Sequence, residues 1–339
     1  MRAIRITSPG VIRKINIPEP QISNHEVLLK IEYVGLCGSD LSTFSGRNPL
    51  VQYPRIPGHE ISGIITEKGK EVPDKLETGK RVTVIPYTSC GNCAACKNGR
   101  ANACRYNQTL GVQRDGAMAD YLAVPWEKIV LTDALTGKES ALTEPLTVGF
   151  HAVSRGAVTG KDTVMVLGCG MVGTGAIIRS VMKRAEVIAV DIDDNKLLLA
   201  QKLGARYTIN SSETSVHKKT EEITRGHGPS VVIEAAGNPA TWVMAIEEVS
   251  FTGRIICIGY VKDTVPVATR LIVQKELDIR GSRNATPADF EAAVSYLGSG
   301  TCPVDSLVSR IISPDEVGES MKFWAEKPGQ IQKILVRFG

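Results

Sequence analysis

The hydrophobic and polar positions of this chain change rhythm once, near residue 160. From residue 2 to about 131, short β-type runs follow one another at 2–6, 26–34, 61–67, 81–86 and 119–124, separated by Gly, Pro and Asn turns. The spacing predicts a mainly-β unit carrying long loops. From about 161, apolar strands alternate with helical patterns. A strand at 163–167 precedes a helix from Val172, one at 187–191 precedes a helix over 193–203, and one at 231–235 precedes a helix after Pro239; a further strand lies at 254–258. Such alternation predicts a parallel sheet with helices on both faces, and hence an α/β fold class. Past Asp278 the pattern predicts a helix opened by Thr286 and Pro287 and a strand at 307–312. A helix capped by Ser313 with Pro314 at its first position follows, then a last strand at 332–338, so that the tail is able to rejoin the first unit.

Length and composition agree with two folded domains. The chain has 339 residues, of which 42% are hydrophobic and 22% charged, the balance of a globular protein rather than a disordered one. Forty basic against thirty-six acidic residues leave a net charge of +4, with the signs interspersed, so no nucleic-acid or membrane partner is expected. The N-terminal stretch MRAIRITSPG carries charge where an export signal needs apolar residues, and a cytoplasmic location is expected. Four of the eight cysteines crowd between Cys90 and Cys104, which in a chain without an export signal favours metal over disulfides.

Three groups of residues carry chemistry. After the apolar strand at 163–167 come Gly168-Cys169-Gly170-Met171-Val172-Gly173, a G-x-G-x-x-G turn that opens a helix. Its glycines permit the tight turn, the approach of a pyrophosphate to the backbone, and close packing of helix on strand. The next strand ends in Asp191, eighteen residues after Gly173, near where a ribose-binding acid belongs. A carboxylate there binds both ribose hydroxyls and repels a 2′-phosphate, so NAD is expected over NADP. Second, Cys90, Cys93, Cys96 and Cys104 have the spacing C-x2-C-x2-C-x7-C, suited to a closed tetrahedral zinc site of structural type. Third, Cys37, the pair His59-Glu60 and Glu144 are dispersed. Singly, each has an ordinary reading as a core thiol, a turn histidine or a solvated acid. As a set they offer sulfur, imidazole and carboxylate to a catalytic zinc that keeps room for substrate.

At these residues the chain resembles the zinc-dependent medium-chain alcohol and polyol dehydrogenases along essentially its full length. The matching signatures are Cys37-Gly38-Ser39-Asp40, Gly58-His59-Glu60, the four-cysteine loop, Glu144-Pro145-Leu146, the glycine turn and Asp191. The resemblance implies a GroES-like, mainly-β catalytic domain over 1–145, a Rossmann NAD-binding domain over 146–283, and a return of 284–339 to the catalytic domain. It implies one catalytic and one structural zinc, and Cys37 and His59 as ligands of the former; whether Glu60 or Glu144 binds directly stays open. Ser39 resembles the hydroxyl that takes the substrate proton, Asp40 the acid that orients His59, and Lys196 a partner of the cofactor ribose. A homodimer or homotetramer acting on a small alcohol, polyol or sugar acid is implied.

Two departures bear on substrate. Ser42 stands where many relatives place a histidine, and Thr43 where sorbitol dehydrogenases have a tyrosine. Arg47-Asn48-Pro49 and Gly281-Ser282-Arg283-Asn284 resemble bacterial dehydrogenases of the L-gulonate and L-galactonate kind, which makes Arg47, Arg283 and Asn284 candidate substrate residues. An arginine can grip a carboxylate bidentately, and it can equally form a surface salt bridge. The competing readings are a sorbitol- or threonine-type dehydrogenase and, outside enzymes, a dinucleotide-binding sensor on the same fold.

Overall fold

In the computed structural model, which describes residues 1–339, the chain divides into two compact units. Met1–Glu144 and Thr286–Gly339 form the first; Pro145–Ala285 form the second.

The first unit is built on a seven-stranded sheet. Its order runs Arg310–Ile312, Ile334–Arg337, Glu26–Leu36, Glu60–Lys68, Arg81–Val84 and Ile129–Leu131, with Tyr121–Pro125 also pairing Glu26–Leu36. The eleven-residue strand Glu26–Leu36 is the spine, because it pairs with three neighbours and buries most of its length. Its side chains Leu29 and Ile31 meet Ile61, Ile65, Val82 and Met118 in one core. Two registers place chemistry at one end of this sheet. Gly35 lies opposite Glu60, and Ile334 lies opposite Leu36, so the tail arrives beside the residues that follow Leu36.

The tail departs from the expected strand at 307–312. Val304–Leu307 is a helical turn starting after Pro303, and the strand is confined to Arg310–Ile312. Proline sets the backbone for a turn, and Leu307 is fully buried as that turn's anchor. The helix Gly137–Arg155 had no clear sequence signal, because Pro145 interrupts it, yet it carries Glu144.

The second unit is a six-stranded sheet, parallel throughout, in the order Tyr207–Asn210, Glu186–Asp191, Thr163–Leu167, Val231–Glu234, Arg254–Cys257, Asp278–Gly281. Chain order reverses between Thr163–Leu167 and Val231–Glu234. At such a switch point the carboxyl ends of the strands leave a crevice for ligand. The core joins Met165, Leu167, Ile188, Val190, Val232 and Ile255. No helix of the chain is long and apolar enough to cross a membrane.

Candidate active site

Cys37, His59 and Glu60 meet at the end of the first unit's spine. Cys37 follows the strand Glu26–Leu36, and Glu60 opens its antiparallel partner, so the pairing brings residues distant in sequence together. Their ligand atoms, Sγ, a ring nitrogen and a carboxylate oxygen, all lie within 4.8 Å of one another. Gly35 makes room for Glu60, because a Cβ at that position would overlap its carboxylate. His59 enters the strand from Gly58, whose φ of +101° is a backbone conformation that glycine adopts without strain.

The electrostatics call for a cation here. Burial disfavours a charged His59, yet Cys37, Asp40 and Glu144 around it hold its pKa well above the ordinary value. Three buried atoms at this place have no hydrogen-bond partner: Ser39 Oγ, Asp40 Oδ1 and His59 Nδ1. A divalent ion with a bound hydroxyl compound would satisfy such a pocket, and a thiolate, an imidazole and a carboxylate are donors that zinc accepts. The residues fit the metal. Asp40 is set by its own helix: its Oδ2 accepts the Cys37 N–H at 2.8 Å in a capping box that opens Gly38–Phe44. It therefore faces His59 as a nearby charge, without the hydrogen bond expected of an orienting acid.

The two carboxylates are restrained differently. Lys333, 2% exposed, donates to both Glu60 oxygens at 2.5 and 2.6 Å and to the Leu36 carbonyl at 3.1 Å. Burial opposes the lysine charge, but Glu60 and Cys37 hold its pKa above the ordinary value. Glu144 is not among the three clustered ligands; its Oε1 accepts a hydrogen bond from the Tyr87 hydroxyl. Burial, reinforced by Glu144, pushes the Tyr87 phenol well above its usual range, so it keeps the proton it donates.

The four-cysteine loop forms a second cluster, with the thiol groups of Cys90, Cys93, Cys96 and Cys104 within 4.8 Å of one another and no disulfide. Cys93 Sγ lies 3.6 Å from Cys96 Sγ and 3.8 Å from Cys104 Sγ. Sulfurs placed about 2.3 Å from a tetrahedral zinc would be about 3.8 Å apart, so the cage has the right size. Backbone N–H groups aim at the sulfurs: Cys93 N at Cys90 Sγ, and Cys90 N and Tyr106 N at Cys104 Sγ, each at 3.3 Å. The N–H of Arg105 leads in drawing the Cys93 thiol down to about 6, which favours the thiolate a metal needs.

In the second unit Gly168 has a φ of +94°, and a Cβ there would press on the Ala236 backbone. Gly173 packs against the Gly168 carbonyl, while nothing lies within 4 Å of a Cβ built on Gly170. That open side and the uncapped start of the helix Met171–Met182 make a place for a pyrophosphate. Asp191 is oriented by three backbone donors, Cys169 N at 2.7 Å to Oδ2, and Ile192 N at 2.8 Å and Asp193 N at 3.1 Å to Oδ1. Lys196 is half-buried on the following helix, near enough to act on Cys169 together with Asp191.

Comparison with known proteins agrees with this geometry. Residues 23–134 match the alcohol dehydrogenase GroES-like domain, and residues 172–299 match the zinc-binding dehydrogenase family. The chain is 34% identical over 339 residues to an uncharacterized zinc-type alcohol dehydrogenase-like protein of Haemophilus influenzae, covering 100% of this chain and 99% of that protein. It belongs to the zinc-dependent medium-chain alcohol and polyol dehydrogenases. As a member of that family it is an oxidoreductase acting on CH–OH groups. It is 32% identical to L-galactonate-5-dehydrogenase of Escherichia coli, covering 88% of this chain and 86% of that one. It is also 32% identical to sorbitol dehydrogenase of Bacillus subtilis, covering 99% and 97%. Among solved structures, an alcohol dehydrogenase (rspB) of Escherichia coli CFT073 complexed with NADH superposes with a TM-score of 0.92 at 30% identity, covering 100% of this chain and 99% of that one. A zinc-binding dehydrogenase of Sinorhizobium meliloti bound to NADP gives 0.89 at 29% identity, covering 99% and 98%.

Sequence reading of this dehydrogenase missed Lys333 and Tyr87. Lys333 immediately precedes the closing strand Ile334–Arg337, where a lysine beside Gln332 reads as an ordinary surface residue, and a tyrosine in a polar loop offered no signal for the second. Thr43 is fully buried and donates to the Ser39 carbonyl at 2.8 Å, so it supports the backbone. Arg47 is exposed in the first unit, and Arg283 and Asn284 are half-buried in the second.

Proposed function

We propose that this dehydrogenase uses NAD to oxidise a secondary hydroxyl of a polyhydroxylated acid, of the L-gulonate or L-galactonate kind, to a ketone. The observation that carries the chemistry is the convergence of Cys37, His59 and Glu60 beside the unpartnered Ser39 hydroxyl. Cys37, His59 and Glu60 are the residues to hold a catalytic zinc, and Cys90, Cys93, Cys96 and Cys104 those to hold a structural one. Bound zinc supplies Lewis acidity toward an alcohol oxygen, and bound NAD supplies the hydride acceptor. Ser39 Oγ accepts a hydrogen bond from the substrate hydroxyl and relays its proton, giving up its own hydroxyl proton toward solvent as it takes the substrate's. Burial excludes water from His59 and Glu60 and so strengthens each of these interactions. In the second unit the N-terminus of Met171–Met182 takes the pyrophosphate. Asp191, held by its three N–H donors, accepts from the adenosine ribose hydroxyls and repels a 2′-phosphate. The net change is alcohol plus NAD⁺ to ketone, NADH and a proton.

The substrate class rests on residue chemistry. Arg283 offers a bidentate partner for a carboxylate, and Thr43, being interior, supplies no aromatic hydroxyl for a sorbitol-like chain. The deciding measurement is kcat/KM for an aldonate, its matching alditol and L-threonine, with NAD, in the native enzyme and in Arg283→Ala. A charge-assisted contact of roughly 1.5–3 kcal/mol corresponds to a loss of about ten- to a hundred-fold, falling on the aldonate and sparing the alditol. Equal losses on both, or a native preference for sorbitol or threonine, would refute the sugar-acid reading.

A further inference from the structure

The loop that carries the four cysteines also reaches the catalytic cluster. Its two stems pair just outside the cysteines: Leu110 N donates to the Pro86 carbonyl at 3.0 Å, Thr88 N to the Gln108 carbonyl at 3.2 Å, and Gln108 N to Thr88 Oγ1 at 2.7 Å. Tyr87 sits within this short ladder, bridged antiparallel to Thr109 and three residues before Cys90. Its backbone is therefore fixed from both sides, and its side chain, 6% exposed, runs inward to the buried Glu144 carboxylate.

Two carboxylates thus lie near one cluster, each with its own restraint. Glu60, paired with Lys333, shares the 4.8 Å group with Cys37 and His59; Glu144, bonded to Tyr87, does not. A buried carboxylate is drawn toward a neighbouring cation, and both glutamates joining Cys37 and His59 would complete four protein ligands and close a zinc site.

We propose that Tyr87 is a positioning residue that decides the ligand set: by donating to Glu144 it holds that carboxylate out of the cluster and keeps one metal position open for the alcohol. The proposal rests on the reading that Cys37, His59 and Glu60 hold zinc, and it extends the duty of the four-cysteine loop from stability to catalytic geometry. Residues that orient metal ligands typically change affinity or activity by about 10- to 100-fold when altered. Tyr87→Phe keeps the ring and removes only this donor, so Glu144 loses the hydrogen bond that points it away from the cluster.

The test uses the holoenzyme with cobalt(II) exchanged into the Cys37 cluster, in native protein, Tyr87→Phe, Glu144→Ala and the double variant. Three quantities are read: the visible cobalt spectrum, the rate of metal release to a chelator, and kcat/KM. Tyr87→Phe is expected to alter the spectrum, slow metal release by about ten-fold and lower kcat/KM by about ten-fold. Tighter metal with slower turnover is a combination that local unfolding, which loosens both, does not produce. In the Glu144→Ala background the same substitution is expected to change nothing further, because Tyr87 acts through Glu144. An unchanged spectrum and release rate in Tyr87→Phe, or equal effects with and without Glu144, overturns the proposal while leaving the zinc reading intact. A cobalt spectrum that is the same in Cys37→Ser as in native protein overturns the zinc reading and this proposal with it.

Discussion

Lys333 shows how one side chain sets the charge of the cluster of Cys37, His59 and Glu60. Around it stand Cys37, Glu60 and Glu144, and its ammonium supplies the one permanent positive charge that pairs directly with Glu60. Lys333→Met leaves Glu60 buried and uncompensated, at a cost of about 3–5 kcal/mol in the metal-free protein. Zinc restores part of that charge balance, so the loss is expected to be smaller in the metal-loaded protein. Urea denaturation of both forms checks this, and equal losses would contradict it. Asp191 gives the second prediction at this scale. Asp191→Ser removes the repulsion of a 2′-phosphate along with the ribose contact, so the NAD to NADP ratio of kcat/KM should fall by at least about ten-fold, one charge-assisted hydrogen bond's worth. A native enzyme faster with NADP than with NAD would remove the basis for that expectation.

Elements transmit these side chains. The loop of Cys90, Cys93, Cys96 and Cys104 has almost no apolar interior of its own, so metal must hold its shape. Cys93→Ser should reduce bound zinc from two ions per chain to one and lower the thermal midpoint, as elemental analysis and calorimetry would show. In the parallel sheet, Asp162 joins three elements: it accepts from Thr159 N at 2.8 Å and Ser230 Oγ at 2.8 Å, and pairs with Arg254. Burial works against its charge, but the Thr159 N–H, Ser230 and Arg254 together hold its pKa below the ordinary carboxylate value. A carboxylate depressed in the folded state contributes stability above its unfolded pKa of about 3.9 and loses it as pH falls through the lower folded value. Asp162→Asn should therefore cost about 2 kcal/mol near neutral pH. The difference from native should shrink below about pH 4, which denaturation midpoints at the two pH values would reveal.

At the scale of the whole molecule the chemistry is divided. Every candidate zinc ligand lies in Met1–Glu144, and the glycine turn with Asp191 lies in Pro145–Ala285. Metal and dinucleotide binding should accordingly be separable. A chelator is expected to remove the zinc at Cys37, His59 and Glu60, abolishing turnover, while the closed four-cysteine cage keeps its ion. NADH binding, followed by fluorescence, should persist in the chelated protein. Loss of NADH binding together with the exchangeable zinc would show that the two units do not bind independently.

Local signals determined much of this protein. The glycine turn, Asp191 and the four cysteines are each contiguous or closely spaced, so backbone conformation and ligand geometry follow from neighbours along the chain. The alternation of strand and helix likewise announces the parallel sheet, because burial on both faces demands continuous apolar runs. Spacing left the catalytic cluster as a set of ordinary-looking residues, and only family resemblance joined them. Pairing of Gly35 with Glu60 is what brings Cys37 to His59, and register is a property of the folded sheet. Lys333 reaches Glu60 from 273 residues away, and Tyr87 reaches Glu144 from 57. Only the tertiary structure could decide which partner ties each carboxylate, because a buried charge takes its partner from whatever the fold brings within hydrogen-bond distance, regardless of separation along the chain.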